Sequence, residues 1–324
     1  MLQPRWPSKG LGGVYVAQKV KPKKQISANE KKILRYLIAL PLIALAIKFI
    51  VMFNIPLGGW LGADGENYTA GVDGLLKEGF YSKEPKLSYW PAGYPLLLWP
   101  LAKISISNFY YLVSTMQTIF FAYATYYFSS QVNKSAFKKF ALLASFLISF
   151  NPTLSLSTLA VGYEAPIAAC FMMVSGLLIK NFAKEVNRKF WLAIAAIAGW
   201  FALAIFMQPR FLLVGFIFFL YWAYKSNGKK YAALIIILST AVMATAPAIM
   251  IVRNIEVIDQ ATISTNLGVT MAIGAGDETE GGYKRTGPEV PCEPTPPETA
   301  LTDNAKVKCV INWYLQNPVT TVSL

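Results

Sequence analysis

Positions 33–53 read ILRYLIALPLIALAIKFIVMF, with only Arg35 and Lys48 charged in the whole run. At 1.5 Å per residue such a helix is about 30 Å long, the thickness of a bilayer's hydrocarbon core. Working outward from it, six further apolar runs occur at 110–130, 140–159, 165–179, 190–207, 211–224 and 231–252, the fourth and sixth of the seven being short. Each is bounded by charge, Asn, Pro or Gly, where a helix would leave the hydrocarbon. Over the 324 residues, 55% are apolar and 15% charged, against about 45–50% and about 25% in a soluble domain. The apolar excess is gathered in blocks, so the expected fold is an all-α polytopic membrane protein of about seven transmembrane helices. Buried helices of a large soluble protein are the competing reading, and the short basic loops between the blocks argue against it.

Charge gives the runs an orientation. With the N-terminus inside, segments 1–35, 131–139, 180–189 and 225–230 carry 19 Lys/Arg against two acids, Glu30 and Glu185. The remaining segments carry 15 acids against ten bases, and Lys48 lies within the first run. Cytoplasmic loops are enriched in Lys and Arg, so the expectation is a cytoplasmic N-terminus in the plasma (inner) membrane. The net charge of +13 is then an orientation signal. No nucleic-acid partner is needed to explain it; anionic lipid is the better match for the Lys19–Lys32 cluster. The long basic leader has no small-residue cleavage site after the first run, as in a retained signal anchor.

The chain divides into a basic cytoplasmic tail (1–32), a transmembrane domain (33–252) and an extracytoplasmic segment (253–324) of mixed character. Within the second, the loop 54–109 is too long for a turn. From Asp64 to Phe80, apolar residues recur at Tyr68, Val72, Leu75, Leu76 and Phe80, one face of a helix lying in the membrane interface. Leu96 to Ile104 is too short to cross and reads as a second interfacial or re-entrant element. Beyond 253, positions 274–282 and 288–297 are loop-forming, and 305–316 suits a short helix. Cys170 falls in the fourth run as a packing residue. Cys292 and Cys309 share the outer segment, an oxidising compartment, and are a candidate disulfide. The sequence holds no histidine, which removes His-based acid–base chemistry and His-ligated metals.

Acids and arginines collect on the outer side. Asp64 and Glu66 head the interfacial helix. The bland reading is a capping Asp and a solvated Glu. The sharper reading is a general base at the membrane surface, and two such carboxylates are also able to hold a divalent metal ion, though weakly. Glu164 stands at the mouth of the fourth run, facing a cavity or capping the helix that Pro166 starts. Arg210 and Arg253 either snorkel to headgroups or clamp a phosphate. Lys48 is expected to snorkel outward. Asn67-Tyr68-Thr69 matches a glycosylation sequon too near the membrane to be used.

The order of motifs resembles the GT-C class of membrane glycosyltransferases, which includes protein O-mannosyltransferases and the lipid A aminoarabinose transferase. The residues that carry the likeness are Gly62-x-Asp64-x-x-x-Tyr68, Gly79, and Trp90-Pro91-Ala92-Gly93-Tyr94-Pro95 followed by Leu96, Leu97 and Leu98. Downstream come Glu164, Pro209-Arg210, Pro247 through Arg253-Asn254, Ser264-Thr265-Asn266 and Ile273-Gly274. The resemblance covers residues 33–320 and implies transfer of a sugar from a polyprenyl-phosphate donor to a glycan, lipid or protein acceptor. It implies Asp64 as catalytic base, with Glu66, Tyr68, Tyr94, Glu164, Arg210, Arg253 and Asn254 as substrate-binding residues. Two features depart from the family. Gly65 separates the acids that are adjacent in O-mannosyltransferases, and family members carry further spans, so the likeness implies an incomplete chain. A flippase or transporter of lipid-linked sugars, and a non-catalytic membrane assembly protein, are the alternatives.

Overall fold

The computed structural model describes residues 28–54, 64–181, 187–225, 229–276, 292 and 300–323. The basic tail to residue 27, Gly62, Glu185 and, apart from 274–276 and Cys292, the loop-forming stretches 274–282 and 288–297 lie outside the described residues. Among the described residues the chain is all-helical, with no strand.

Helix α1 (Ala28–Asn54) is followed by three shorter helices, α2 (Gly65–Glu78), α3 (Lys86–Tyr89) and α4 (Gly93–Ile104). Then come α5 (Phe109–Asn133), α6 (Ala141–Ser149), α7 (Pro152–Leu156), α8 (Glu164–Asn181), α9 (Arg188–Met207), α10 (Phe211–Lys225) and α11 (Lys229–Ile258). The last segment holds α12 (Leu267–Ile273), α13 (Ala300–Gln316) and α14 (Pro318–Ser323). Local chemistry sets several of these ends. Gly79 closes α2 with φ +79°, a conformation that a side chain disfavours, and its N–H reaches back to the Leu75 carbonyl. Asn187 caps α9 by accepting the N–H groups of Lys189 and Phe190.

Helices occupy all seven predicted runs, but the sevenfold count is not reached by length and apolarity. α1, α8, α9 and α11 are long and apolar enough to cross a membrane, and α6–α7 adds a fifth crossing if the bent pair is one span. The 55° bend has a local cause. Pro152 cannot continue α6, and the Asn151 side chain accepts the Leu154 N–H at 2.6 Å to start a new helix. α5 has 25 residues but buries a polar face that includes Ser114, Gln117, Thr118, Thr125 and Ser129. α10 has only 15 residues. The apolar surface points outward: Leu42, Ile50 and Phe53 of α1 are 53%, 63% and 70% exposed, as suits helices bathed in lipid.

Two ends of the bundle differ in charge. At one end Leu37 packs on Val132 and Ala141; at the other Met52 packs on Leu159. α5 and α8 run side by side, Ala165 and Ala169 of α8 against Phe121, and Gly176 against Tyr127. Small residues on that stripe let the two backbones approach. Near one end lie Lys134, Lys138, Lys139, Lys180, Arg188, Lys189, Lys225, Lys229 and Lys230, each beside a helix terminus. α2, α3 and α4 cover the opposite end, where α9 finishes and Ala204 and Met207 join Tyr68, Val72, Tyr94 and Leu98 in one apolar cluster.

Lys48 does not snorkel outward. It is 3% exposed and lies inside the bundle, its Nζ 4.6 Å from the centroid of the Phe121 ring. The reason is its place in the series Leu37, Pro41, Ala44, Lys48, Met52, the buried face of α1.

The Trp90–Pro95 motif has a steric logic. Its Gly93 opens α4 directly against the end of α9, where an added Cβ would land on the Phe206 carbonyl oxygen. Backbone cannot swing aside as a side chain does. Gly93→Ala is therefore expected to push α4 away from α9 and to destabilise the protein by about 2 kcal/mol or more. Thermal unfolding in detergent reads this directly, and an unchanged midpoint would count against the close approach.

Candidate functional site

The covered end of the bundle brings together residues from four places in the sequence. Asp64 sits at the N-terminus of α2, and its backbone carbonyl accepts the N–H groups of Asn67 and Tyr68. Its side chain makes no capping bond. Among the described residues the carboxylate has no hydrogen bond or ion pair, so the bland capping role is not the one it plays. One turn on, Tyr68 is 2% exposed and meets Tyr94 of α4 edge-on, with ring centroids 5.1 Å apart. Tyr163, just ahead of α8, completes a triad at 5.8 Å from Tyr68 and 6.2 Å from Tyr94. Trp90 borders the group 6.4 Å from Tyr68, with its indole N–H buried and unpartnered.

The charged candidates surround this triad. Burial pushes the Tyr68 phenol well above its ordinary pKa, and Tyr163 and the carboxylates of Asp64 and Glu164 push it further. Burial and Glu164 do the same to Tyr94, opposed by the Gly162 backbone. Tyr163 is raised by burial and Glu164 and drawn back by Arg210. Asp64, Glu164 and Arg210 therefore lie within electrostatic reach of one small aromatic cluster. All three phenols stay protonated at working pH; the Tyr94 O–H is donated to Gln117, and those of Tyr68 and Tyr163 stand beside two carboxylates. The Tyr68 hydroxyl leans toward that of Tyr163 without a well-formed hydrogen bond. Tyr163 instead accepts from Gln208 Nε2 at 2.8 Å.

Glu164 opens α8 with its side chain exposed and folded back over Gly162, where a Cβ would collide with Oε2. Arg210 is exposed in the α9–α10 turn, its guanidinium carbon 5.6 Å from the Phe211 ring centroid. Glu66 is exposed on the first turn of α2. Among the described residues no group of three or more His, Cys, Asp or Glu side chains gathers to hold a metal ion.

Arg253 and Asn254 belong elsewhere, and a phosphate-clamping role for Arg253 does not fit its surroundings. Arg253 is fully buried. Its Nε donates to the Phe80 carbonyl at 3.2 Å, its Nη2 to the Ser82 carbonyl, and its Nη1 to the Leu87 carbonyl, Ser88 Oγ and Asn254 Oδ1. Asn254 Nδ2 donates in turn to the carbonyls of Thr262 and Ile263. The Thr265 N–H then reaches the Ser88 carbonyl at 3.0 Å. The fork geometry of the guanidinium is used to pin the turn between α2 and α3 onto the end of α11, with all three nitrogens bonded to that junction and none of the side chain exposed.

Beyond that junction, α12 and α13 pack together around Ala272, Ala275, Cys292 and Val310. Cys292 and Cys309 are joined as a disulfide. The Asp303 carboxylate accepts the Gly268 N–H at 2.5 Å, facing the start of α12 from a different helix. Its burial raises its pKa, against the pull of the Gly268, Leu267 and Val269 N–H groups and of Lys306.

Sequence reasoning missed Gln117 and Gln208, and quoted Trp90 within a motif without giving it a role at the site. Gln117 left a signal, an amide in the middle of an apolar run, where polar groups face the bundle interior. Gln208 left none beyond adjacency to the Pro209-Arg210 turn. Comparison of the chain with protein-family models, curated proteins and solved structures finds no match.

Proposed function

We propose that this protein is a membrane glycosyltransferase that moves a sugar from a polyprenyl-phosphate carrier to an acceptor hydroxyl or amine at the extracytoplasmic face. The observation that carries this reading is the meeting of Asp64, Glu164 and Arg210 around three tyrosines, at the bundle end away from the basic loops. The positive-inside rule favours that end being outside the cell, with the N-terminus cytoplasmic; the membrane in this reading is the inner one. In this arrangement α5, the α6–α7 pair and α10 complete seven crossings, and α2 and α4 lie in the interface where a lipid-linked donor presents its headgroup.

The chemistry follows from the groups present. Asp64, whose carboxylate makes no capping bond, takes the proton of the acceptor hydroxyl. The acceptor oxygen forms a bond to the anomeric carbon as the bond from that carbon to phosphate oxygen breaks, so direct attack inverts the centre. The electron pair leaves with polyprenyl phosphate, and Arg210 supplies positive charge to it. Glu164 and the hydroxyls of Tyr68 and Tyr163 hydrogen-bond sugar hydroxyls, while that of Tyr94 is held by Gln117. The residues that remain for the phosphate no longer include Arg253.

The test is incubation of the purified protein in lipid nanodiscs with radiolabelled polyprenyl-phosphate sugars. Donor-dependent transfer or hydrolysis is the expected result; a label that stays wholly on the carrier across hexose and pentose donors overturns the reading. Burial of Lys48 inside the bundle favours a second reading, transport of the lipid-linked sugar. Movement of intact donor across sealed vesicles, without transfer, would support that reading.

A further inference from the structure

Gln117 lies on α5, 1% exposed, and every polar atom of its side chain is engaged. Its Oε1 accepts the Tyr94 hydroxyl at 2.9 Å. Its Nε2 donates to the carbonyls of Thr158 at 3.2 Å and Ala160 at 2.8 Å. Two neighbours on the same face of α5 hold the same segment: Ser114 donates to the Leu159 carbonyl at 2.8 Å, and Thr118 to Thr158 Oγ1 at 3.1 Å. Residues 158–160 are thus fastened side chain by side chain to α5. They lead straight into Gly162-Tyr163-Glu164, the stretch that carries one ring of the triad and one of its carboxylates.

A buried glutamine in a helical bundle is often no more than a satisfied interior amide. Gln117 differs in what it joins. Its oxygen fixes the α4 wall of the site through Tyr94, and its nitrogen fixes the opposite wall through the 158–160 carbonyls. We propose that Gln117 is a positioning residue that sets the spacing between Tyr94 and the Tyr163–Glu164 wall of the site. It touches no ligand and acts through those residues. The kinetic part of the test rests on the transferase reading, and the spectroscopic part does not.

Two variants separate positioning from packing. Gln117→Leu removes all three bonds. Gln117→Glu keeps the shape: its neutral carboxyl still accepts from Tyr94 and donates to one carbonyl, whereas its ionised form donates to neither. Misplacement by about 1 Å costs transfer enzymes on the order of 10²-fold. Gln117→Leu is therefore expected to lower kcat about tenfold to a hundredfold at every pH with KM changed less. Gln117→Glu should keep more activity at low pH and lose it as pH rises, a slope absent from the natural protein. The second readout uses 3-fluorotyrosine placed at position 163, to which Gln117 makes no hydrogen bond, and separately at position 94. Positioning predicts that the fluorine resonance at 163 moves in Gln117→Leu and recovers in Gln117→Glu at low pH. A change confined to position 94, with 163 unmoved in both variants, overturns the proposal. If the natural protein transfers no sugar, the transferase reading falls while the fluorine result still decides the role of Gln117.

Discussion

Asp64→Asn is expected to fold as the natural protein does and to lose sugar transfer by about 10²- to 10⁴-fold, the usual contribution of a general base. The two halves of that expectation have separate causes. Asn is nearly isosteric with Asp and equally suited to the first position of a helix. The Asp64 carboxylate makes no capping bond, so stability has nothing to lose there beyond about 0.5 kcal/mol. Catalysis does, because an amide cannot take a proton from an acceptor. The measurement is initial rate against donor concentration, with thermal unfolding of the same preparation as control. Transfer at the natural rate would remove Asp64 from the chemistry. A loss of folded protein would return it to the capping role that spacing alone suggests.

Arg253→Ala is expected to produce the opposite pattern, a loss of stability first. Truncation leaves the Phe80, Ser82 and Leu87 carbonyls, Ser88 Oγ and Asn254 Oδ1 without their shared donor in a buried place. Each buried group left unpaired costs about 1–3 kcal/mol, so a total of about 3 kcal/mol or more is expected even with some relaxation. Arg253→Lys keeps a charge but not the fork and should recover only part of that. The damage should be local at first, so proteolysis is expected between α2 and α3 before the bundle unfolds. A phosphate-binding arginine would behave differently, with weaker donor binding and an unchanged unfolding midpoint, and that outcome would restore Arg253 to the site.

The two arginines show where sequence reasoning reached and where it stopped. Both stand beside helix ends in segments of the same expected sidedness, and nothing in residue type separates Arg210 from Arg253. What separates them is tertiary: the turn at 80–88 folds back over the end of α11 and presents carbonyls to one of them. Local features were more legible. The period of Tyr68, Val72 and Leu75 placed α2 almost to the residue, because a helix face is a property of spacing. The break at Asn151-Pro152 lies inside an apolar run whose hydropathy masks it, although proline and its preceding residue announce it. Span counting reached helix positions more readily than crossing status. The buried polar face of α5 looks from sequence like a defect in hydrophobicity, and only its partners at 158–160 give it a purpose. Of the site, the charged members were readable from placement at one end. Gln117 is legible as an amide inside an apolar run, but its partners, like those of Gln208, are set only by the fold.

Lys48 bears on how the molecule is built as well as on how it works. On an isolated α1 in the bilayer its ammonium would face hydrocarbon, at a cost below the about 2.5–3.5 kcal/mol of a charge at a helix centre. Its aromatic shelter, Phe121, belongs to a helix synthesised some seventy residues later. The first helix is therefore expected to rest incompletely in the membrane, held beside the insertion machinery, until α5 arrives to take up the charge. Biogenesis would then carry a built-in checkpoint: the pairing of α1 with α5 must come before the bundle can close.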